Sequence, residues 1–311
     1  MSADRYAASD FGRVAVVMGG LSAEREISLL SGNAVLRGLQ AAGVDAHAVD
    51  AQDTVLEVLQ AGAFDRAFLI LHGRGGEDGC IQGALETIGM PYTGSGVLGS
   101  ALAMDKMRTK QLCQVLDVPT PAWRRVHSSE ECTLAAQALG LPLIVKPSHE
   151  GSSVGVSKVE ATQALGPAWI DASAHGAVMA EQYVSGLEVT ATILDGQALP
   201  LVNMVPKNPI YDFEAKYRNA GTVYHCPANL SAELTRHIQS LALAAFAGVG
   251  CSGWGRVDFI VDEDGQPWLI EINTAPGMTE TSLVPMSAKA AGLGFEELVV
   301  RILATSLGDR T

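Results

Sequence analysis

The first hundred residues alternate short apolar runs with helical patterns, and this alternation constrains the fold more than any other feature of the chain. Residues 14–18, 44–49 and 67–71 read as strands, while the stretch after Glu24 and residues 55–60 and 81–88 read as helices. A helix between two strands leaves room for a crossover, and a crossover returns the chain in the same direction. The pattern therefore predicts βαβαβ, a mostly parallel sheet with helices on its faces. Open sheets of this kind bind ligands beyond the carboxyl ends of their strands. The loops at 72–78 and 94–96 follow strand ends, so ligand chemistry should gather there.

At 311 residues the chain is longer than one core usually serves, so two or three subdomains are expected. A helical stretch over 101–116 stops before the breaker Pro119-Thr120-Pro121, which reads as a hinge. Beyond it come strand 141–146, a Gly/Ser loop, strand 154–159, a helix and strand 178–181. The last third adds strand 188–194, a long polar loop over 206–227, an apolar-striped helix at 232–247 that reads as core, and a hairpin. The formal charge of −13 argues against nucleic acid and anionic membrane as partners, since neither polyanion is attracted to an acidic surface. The start carries Asp4 and Asp10 and no apolar segment, so neither a leader nor a membrane span is expected. Cys80, Cys113, Cys132, Cys226 and Cys251 are scattered without CxxC spacing. They suggest no disulfide framework or zinc site and fit a reducing cytoplasm.

The most legible constellation is the hairpin at 255–273 around the turn Asp262-Glu263-Asp264-Gly265. Period-two alternation puts Arg256 and Asp258 on one face of the first strand, and Glu271 and Asn273 on one face of the second. They interrupt the apolar positions Val257, Phe259, Ile270 and Ile272. Three oxygen donors beside a guanidinium suit a hard cation such as Mg²⁺ that bridges substrate phosphates, with the arginine facing developing negative charge. The alternative is a solvated sheet face. Lys146 ends a strand and precedes Pro147-Ser148-His149-Glu150-Gly151-Ser152-Ser153-Val154-Gly155, whose amides and hydroxyls can wrap phosphates; it lacks the spacing of a P-loop. Gly19-Gly20-Leu21-Ser22-Ala23-Glu24-Arg25-Glu26 opens a helix whose first amides can hold an anion, although its glycines are not the GxGxxG of a dinucleotide site.

Taken in order, these segments resemble the D-alanine–D-alanine ligases of the ATP-grasp superfamily across almost the whole chain. The resemblance is carried by Gly20 to Glu26, by Leu71-His72-Gly73-Arg74-Gly75-Gly76-Glu77-Asp78-Gly79, by Gly94-Ser95-Gly96 and by Met104-Asp105-Lys106. It continues through the Lys146 loop, Glu214-Ala215-Lys216-Tyr217, Gly255-Arg256-Val257-Asp258 and Glu271-Ile272-Asn273-Thr274-Ala275-Pro276-Gly277-Met278-Thr279. It implies an α/β protein with an N-terminal parallel-sheet (pre-ATP-grasp, Rossmann-like) domain over 12–105. A two-subdomain ATP-grasp fold follows, with a central subdomain over 106–187 and a catalytic one over 188–311.

The resemblance further implies ATP-dependent joining of two D-alanine molecules through an acyl phosphate, in the cytoplasm, by a homodimer formed through the first domain. Lys106 and Lys146 would contact the phosphates of ATP, and Ser153, in the loop that closes over the site, and Lys216 would also bind ATP. Glu181 and the backbone near Val184 would face the adenine, and Glu188 would take the ribose. Relatives often carry a lysine where this chain has Gln182. Glu24 would take the first ammonium and form a trio with Ser152 and Tyr217, while Arg256 and the Gly277 amide would face the oxyanion. Ser282 and Leu283 would take the second carboxylate, with His72 and Glu77 near the substrate pocket. Two Mg²⁺ or Mn²⁺ ions would be held by Asp258, Glu271 and Asn273. Three rivals stand beside this reading: a D-alanine–D-lactate or D-alanine–D-serine variant, a nucleotide-binding regulatory module without turnover, and a Rossmann oxidoreductase.

Overall fold

The computed structural model describes residues 6–205 and 222–308. Among them the first domain carries a parallel sheet in the order Asp45–Asp50, Arg13–Met18, Arg66–Leu69, as the alternation predicts. After Arg13 every residue of the central strand is buried, because strands flank it and helices cover both faces. Helix Arg25–Ala41 turns Ile27, Val35 and Leu39 inward. At Gly38 it meets the last helix, Phe295–Ala304, so closely that a Cβ there would sit 3.0 Å from the Phe295 ring. The end of the chain therefore returns to the first core, where Leu298, Val299, Ile302 and Leu303 share one cluster with Val14, Val16, Phe68 and Trp254. Burying side chains of this size is worth roughly 1.5–3 kcal/mol each, which fastens the last third of the chain to the first domain.

The helical stretch expected over 101–116 is two helices, Val97–Met104 and Lys106–Val115. Asp105 adopts an extended conformation between them, and its carboxylate accepts the amides of Met107 and Arg108, a cap worth about 1 kcal/mol. The same carboxylate accepts the Ser148 hydroxyl at 2.7 Å, so the break ties Lys106 to the end of the strand that carries Lys146.

The central subdomain is an antiparallel sheet in the order Trp123–Val126, Val178–Gln182, Leu143–Pro147, Ser157–Val159, covered by helices Ser129–Leu139 and Leu165–Ser173. Its last strand is shorter than expected, because Ser152, Ser153 and Gly155 take left-handed backbone (φ +49°, +61° and +65°) and form a loop. The C-terminal sheet runs Val223–His225, Val202–Val205, Leu187–Leu194, Trp254–Val261, Pro267–Asn273, antiparallel throughout. Helix Ala232–Gly248 closes its back through Ile238, Ala242, Ala245 and Phe246. Within the polar stretch expected at 206–227, residues 206–221 lie outside the described residues, and Val223–His225 is an edge strand. The sheet's opposite face is covered at one end by helix Leu283–Ala290, through Leu283, Val284 and Ala288, and elsewhere lines a cleft.

Candidate active site

A cleft of about 610 Å³ opens where the three sheets face one another. Its floor is the hairpin. Cross-strand register sets Arg256 opposite Asn273 and Asp258 opposite Glu271, all half-buried on the cleft side, while Val257, Phe259 and Ile272 point into the core. A bulge follows Asp258: Phe259 pairs with Leu269, so Ile270 is the extra residue. Strict alternation puts Ile270 on the side away from Glu271; the bulge instead makes both line the cleft, with Ile260 and Ile144 continuing the apolar surface.

The polar groups of the floor satisfy one another. Arg256 donates from Nε to Asp258 Oδ1 at 2.8 Å and from its terminal nitrogen to Oδ2 at 2.7 Å, a two-pronged pair that fixes the guanidinium plane. Asp258 also accepts the Asn273 amide at 3.0 Å and the Thr190 hydroxyl. Glu271 lies 3.2 Å from Lys106 Nζ, which donates to the Glu150 carbonyl at 2.7 Å. Two carboxylates and the Asn273 amide oxygen are hard donors of the kind that would hold a magnesium-type ion. Among the described residues no group of three or more His, Cys, Asp or Glu is gathered to hold a metal ion, so the set here is two carboxylates and one amide oxygen.

The central wall carries Lys146, whose ammonium donates to Glu181 Oε1 at 2.8 Å, with Lys110 Nζ 2.6 Å from Oε2. Burial alone would raise the Glu181 carboxyl, but the two ammonium groups outweigh it and hold the carboxyl below its usual range. Burial, reinforced by Lys146, pushes Lys110 down to about 8 against the opposing pull of Glu181. Lys110 escaped the sequence reading. Its available signal was its place one helical turn after Lys106, on the same face. Ser153, Val184 and Glu188 line the cleft as expected, and so does the exposed Gln182. At that end Lys158 Nζ sits 4.2 Å over the Tyr183 ring.

The third wall comes from the first domain. Ser22 donates to the His72 carbonyl at 2.7 Å and accepts the Glu24 amide at 3.2 Å, which locks the two ligand-facing loops together. The Glu24 carboxylate accepts the Ser152 hydroxyl across the cleft. Arg74 reinforces the crossing by donating to Glu150 at 3.0 Å and to the His175 carbonyl at 3.1 Å. His72 is buried, its Nε2 lacks a hydrogen-bond partner among the described residues, and burial pushes it down to about 4, so it is neutral near pH 7. Glu77 accepts the amides of Gly73 at 2.7 Å and Ala275 at 3.2 Å; burial, then the charge of Glu24, pushes it up to about 8.

The segment after the hairpin completes the cleft. Gly277 lies where a Cβ would come 3.1 Å from Ser282 Oγ, and the next amide, of Met278, donates to Ser31 in the first domain at 3.1 Å. Ser282 accepts the Thr279 amide at 2.9 Å, and Leu283 opens helix Leu283–Ala290. The cleft thus gathers the predicted residues Glu24, His72, Glu77, Lys106, Lys146, Ser152, Ser153, Glu181, Val184, Glu188, Arg256, Asp258, Glu271, Asn273, Gly277, Ser282 and Leu283. Lys216 and Tyr217 lie outside the described residues.

Comparison with known proteins points the same way. Residues 112–304 match the family model described as the D-ala D-ala ligase C-terminus, and residues 51–95 match the one described as the D-ala D-ala ligase N-terminus. The D-alanine–D-alanine ligase of Ectopseudomonas mendocina is 53% identical over 301 residues, 96% of each chain. That of Methylococcus capsulatus is 53% identical over 300 residues, 96% of this chain and 97% of the other. Among solved structures, the Bacillus anthracis D-alanine–D-alanine ligase complexed with ATP superposes with a TM-score of 0.83 at 33% identity, covering 95% of this chain and 97% of that one.

Proposed function

This chain belongs to the D-alanine–D-alanine ligase family, and from that premise we propose that it joins two D-alanine molecules into D-alanyl-D-alanine at the expense of ATP, for peptidoglycan precursor synthesis. The observation that carries the proposal is the convergence in one cleft of two buried-to-half-buried lysines, Lys106 and Lys146, with the hairpin set Arg256, Asp258, Glu271 and Asn273. A carboxylate is a poor acyl electrophile. Attack of the first D-alanine's carboxylate oxygen on the γ-phosphorus forms an acyl phosphate and releases ADP. The second D-alanine's amine, in its neutral form, then attacks the carbonyl carbon. The tetrahedral intermediate collapses by breaking the C–O bond to phosphate, which leaves with the proton that the nitrogen sheds.

In this reading Lys106 and Lys146 bind the phosphates, the Ser153 loop closes over them, Lys216 also binds ATP, Glu181 and the Val184 backbone face the adenine, and Glu188 takes the ribose. Glu24 pairs with the first ammonium. Its bond to Ser152 draws the loop over the cleft, with Tyr217 as the third member, and excludes water that would hydrolyse the acyl phosphate. Arg256, already oriented by Asp258, and the Gly277 amide face the oxygen that gains charge as the amine attacks. Stabilising that charge favours the transition state over the bound substrate. Ser282 and Leu283 receive the second carboxylate at a helix N-terminus, with His72 and Glu77 bordering the pocket. Asp258, Glu271 and Asn273 would hold Mg²⁺ or Mn²⁺, two ions per site, which neutralise phosphate charge when bound.

The division at 12–105, 106–187 and 188–311, a homodimer formed through the first domain, and a cytoplasmic location without nucleic-acid or membrane partners belong to the same proposal. No helix among the described residues is long and apolar enough to cross a membrane. The decisive assay is phosphate release from Mg²⁺-ATP with D-alanine, L-alanine, D-serine, or D-lactate plus D-alanine, each with a chelator control. Chelator-sensitive turnover with D-alanine alone is the expected result. ATP binding without turnover in any mixture would instead support a regulatory module.

A further inference from the structure

Lys110 is fully buried and lines no part of the cleft, yet its ammonium lies 2.6 Å from Glu181 Oε2, directly behind the cleft wall. Holding a charge there is costly, so its neighbours must compensate for the lost water. Lys110 also donates to the Thr120 hydroxyl, and Thr120 donates to the Leu269 carbonyl at 3.0 Å. One ammonium thereby ties together helix Lys106–Val115, the proline-flanked hinge, strand Pro267–Asn273 and strand Val178–Gln182. These are the segments at which the two subdomains flanking the cleft meet.

The arrangement of charge points to a more specific role than stitching. Glu181 divides its two oxygens between two lysines, Oε1 to Lys146 on the cleft wall and Oε2 to Lys110 behind it. With Lys146 as its sole partner, Glu181 would become an uncompensated buried carboxylate whenever Lys146 turned toward an anion in the cleft. That penalty would count against anion binding. With Lys110 behind it, Glu181 keeps a counter-ion, and the trio carries one net positive charge for the cleft.

We propose that Lys110 is a positioning residue, the fixed counter-ion of Glu181 that releases Lys146 to an incoming phosphate. The inference rests on the nucleotide reading of the cleft. It assigns Lys110 no contact with the ligand and makes its influence depend on the charge of Glu181. A residue that merely packed the subdomains together would affect phosphate-bearing and phosphate-free ligands alike, and would not depend on that charge.

The test measures ADP and adenosine binding by calorimetry for the full-length protein and for Lys110→Met, Glu181→Gln and the double variant, with thermal unfolding as a check on folding. Lys110→Met should weaken ADP about tenfold, while adenosine stays within about twofold. In the double variant, where Lys146 has no carboxylate to hold it, ADP affinity should return to that of Glu181→Gln. Equal losses for ADP and adenosine, or a double variant about tenfold weaker than Glu181→Gln, would overturn the proposal. Should Lys110→Met fail to fold, the comparison of Glu181→Gln with the double variant decides alone, since neither carries the buried carboxylate. Wild-type protein that bound no ADP would count against the nucleotide reading itself.

Discussion

The hairpin and the Gly/Ser loop face each other across the cleft and hold their polar groups by opposite means. On the hairpin, strand register places the side chains, and hydrogen bonds interlock them: Asp258 takes three bonds from Arg256, one from Asn273 and one from Thr190. The loop has no ladder at Ser152 and Ser153, whose backbones sit in the left-handed region that side chains disfavour, and it reaches the first domain through Ser152 and Glu24. A group that must meet charge in a transition state gains from being fixed beforehand, whereas a segment that must admit and then enclose substrate gains from a light tether. Damage to the hairpin should therefore appear in turnover, and damage to the loop in the closed state.

Arg256→Ala should break the comparison most severely. Removing a preorganised donor of this kind costs on the order of 10²–10³-fold in kcat, while ADP affinity should change only a few-fold because the lysines remain. Phosphate release and calorimetry on the same variant separate the two. A collapse of ADP binding would recast Arg256 as a ground-state phosphate ligand and undo its assignment to the oxyanion.

Glu77 sharpens the comparison, because it joins the 72–79 loop to Ala275, just past the hairpin. In the folded protein its carboxyl is pushed up to about 8 from an ordinary value of 4.5. Between those pH values the folded state holds more protons than the unfolded one, so this group makes stability fall as pH rises through that window. His72, pushed down to about 4, works in the opposite sense between about 4 and 6.5, where the unfolded state binds the extra proton. Glu77→Gln should remove the first effect and leave the second. Its stability relative to wild type should grow from pH 5 to pH 8.5 by a few kcal/mol, on the order of the shift involved. Denaturant unfolding at the two pH values checks this. Curves for variant and wild type that stayed parallel would mean that Glu77 is already ionised in the fold.

How legible these features were in the sequence depended on how local their causes are. The parallel sheet and the hairpin follow from apolar spacing over a few residues, and alternation alone put Arg256, Asp258, Glu271 and Asn273 on one side. The tie of Asp105 to Ser148 and the buried charge of Lys110 against Glu181 depend on partners far along the chain. No window over the local sequence contains those partners. The return of the last helix to the first core is of the same kind, since its apolar stripe shows that it is buried but not against what. For the cleft, the roles of Glu24, Ser282 and Lys106 came from the ordered resemblance across the chain, because a lone glutamate or serine carries too little pattern to be singled out.

Ser152 offers the smallest and most discriminating test of the loop side. Its hydroxyl donates to Glu24, and a hydrogen bond to a charged group is worth about 1.5–3 kcal/mol when fully formed, less where water competes as it does at this half-buried position. Ser152→Ala should therefore raise KM for D-alanine by about tenfold and shift thermal stability little. Alanine at φ +49°, however, adds no relief of the left-handed backbone, so a loss in that variant alone would not separate the hydroxyl from the conformation. Ser152→Gly does separate them. Glycine also lacks the hydroxyl but adopts this backbone freely. If the bond to Glu24 draws the loop shut, the alanine and glycine variants should lose equally in steady-state assays at varied D-alanine. If the glycine variant kept wild-type KM, closure would depend on backbone conformation, and the tether between loop and first domain would have to be sought elsewhere than in this hydroxyl.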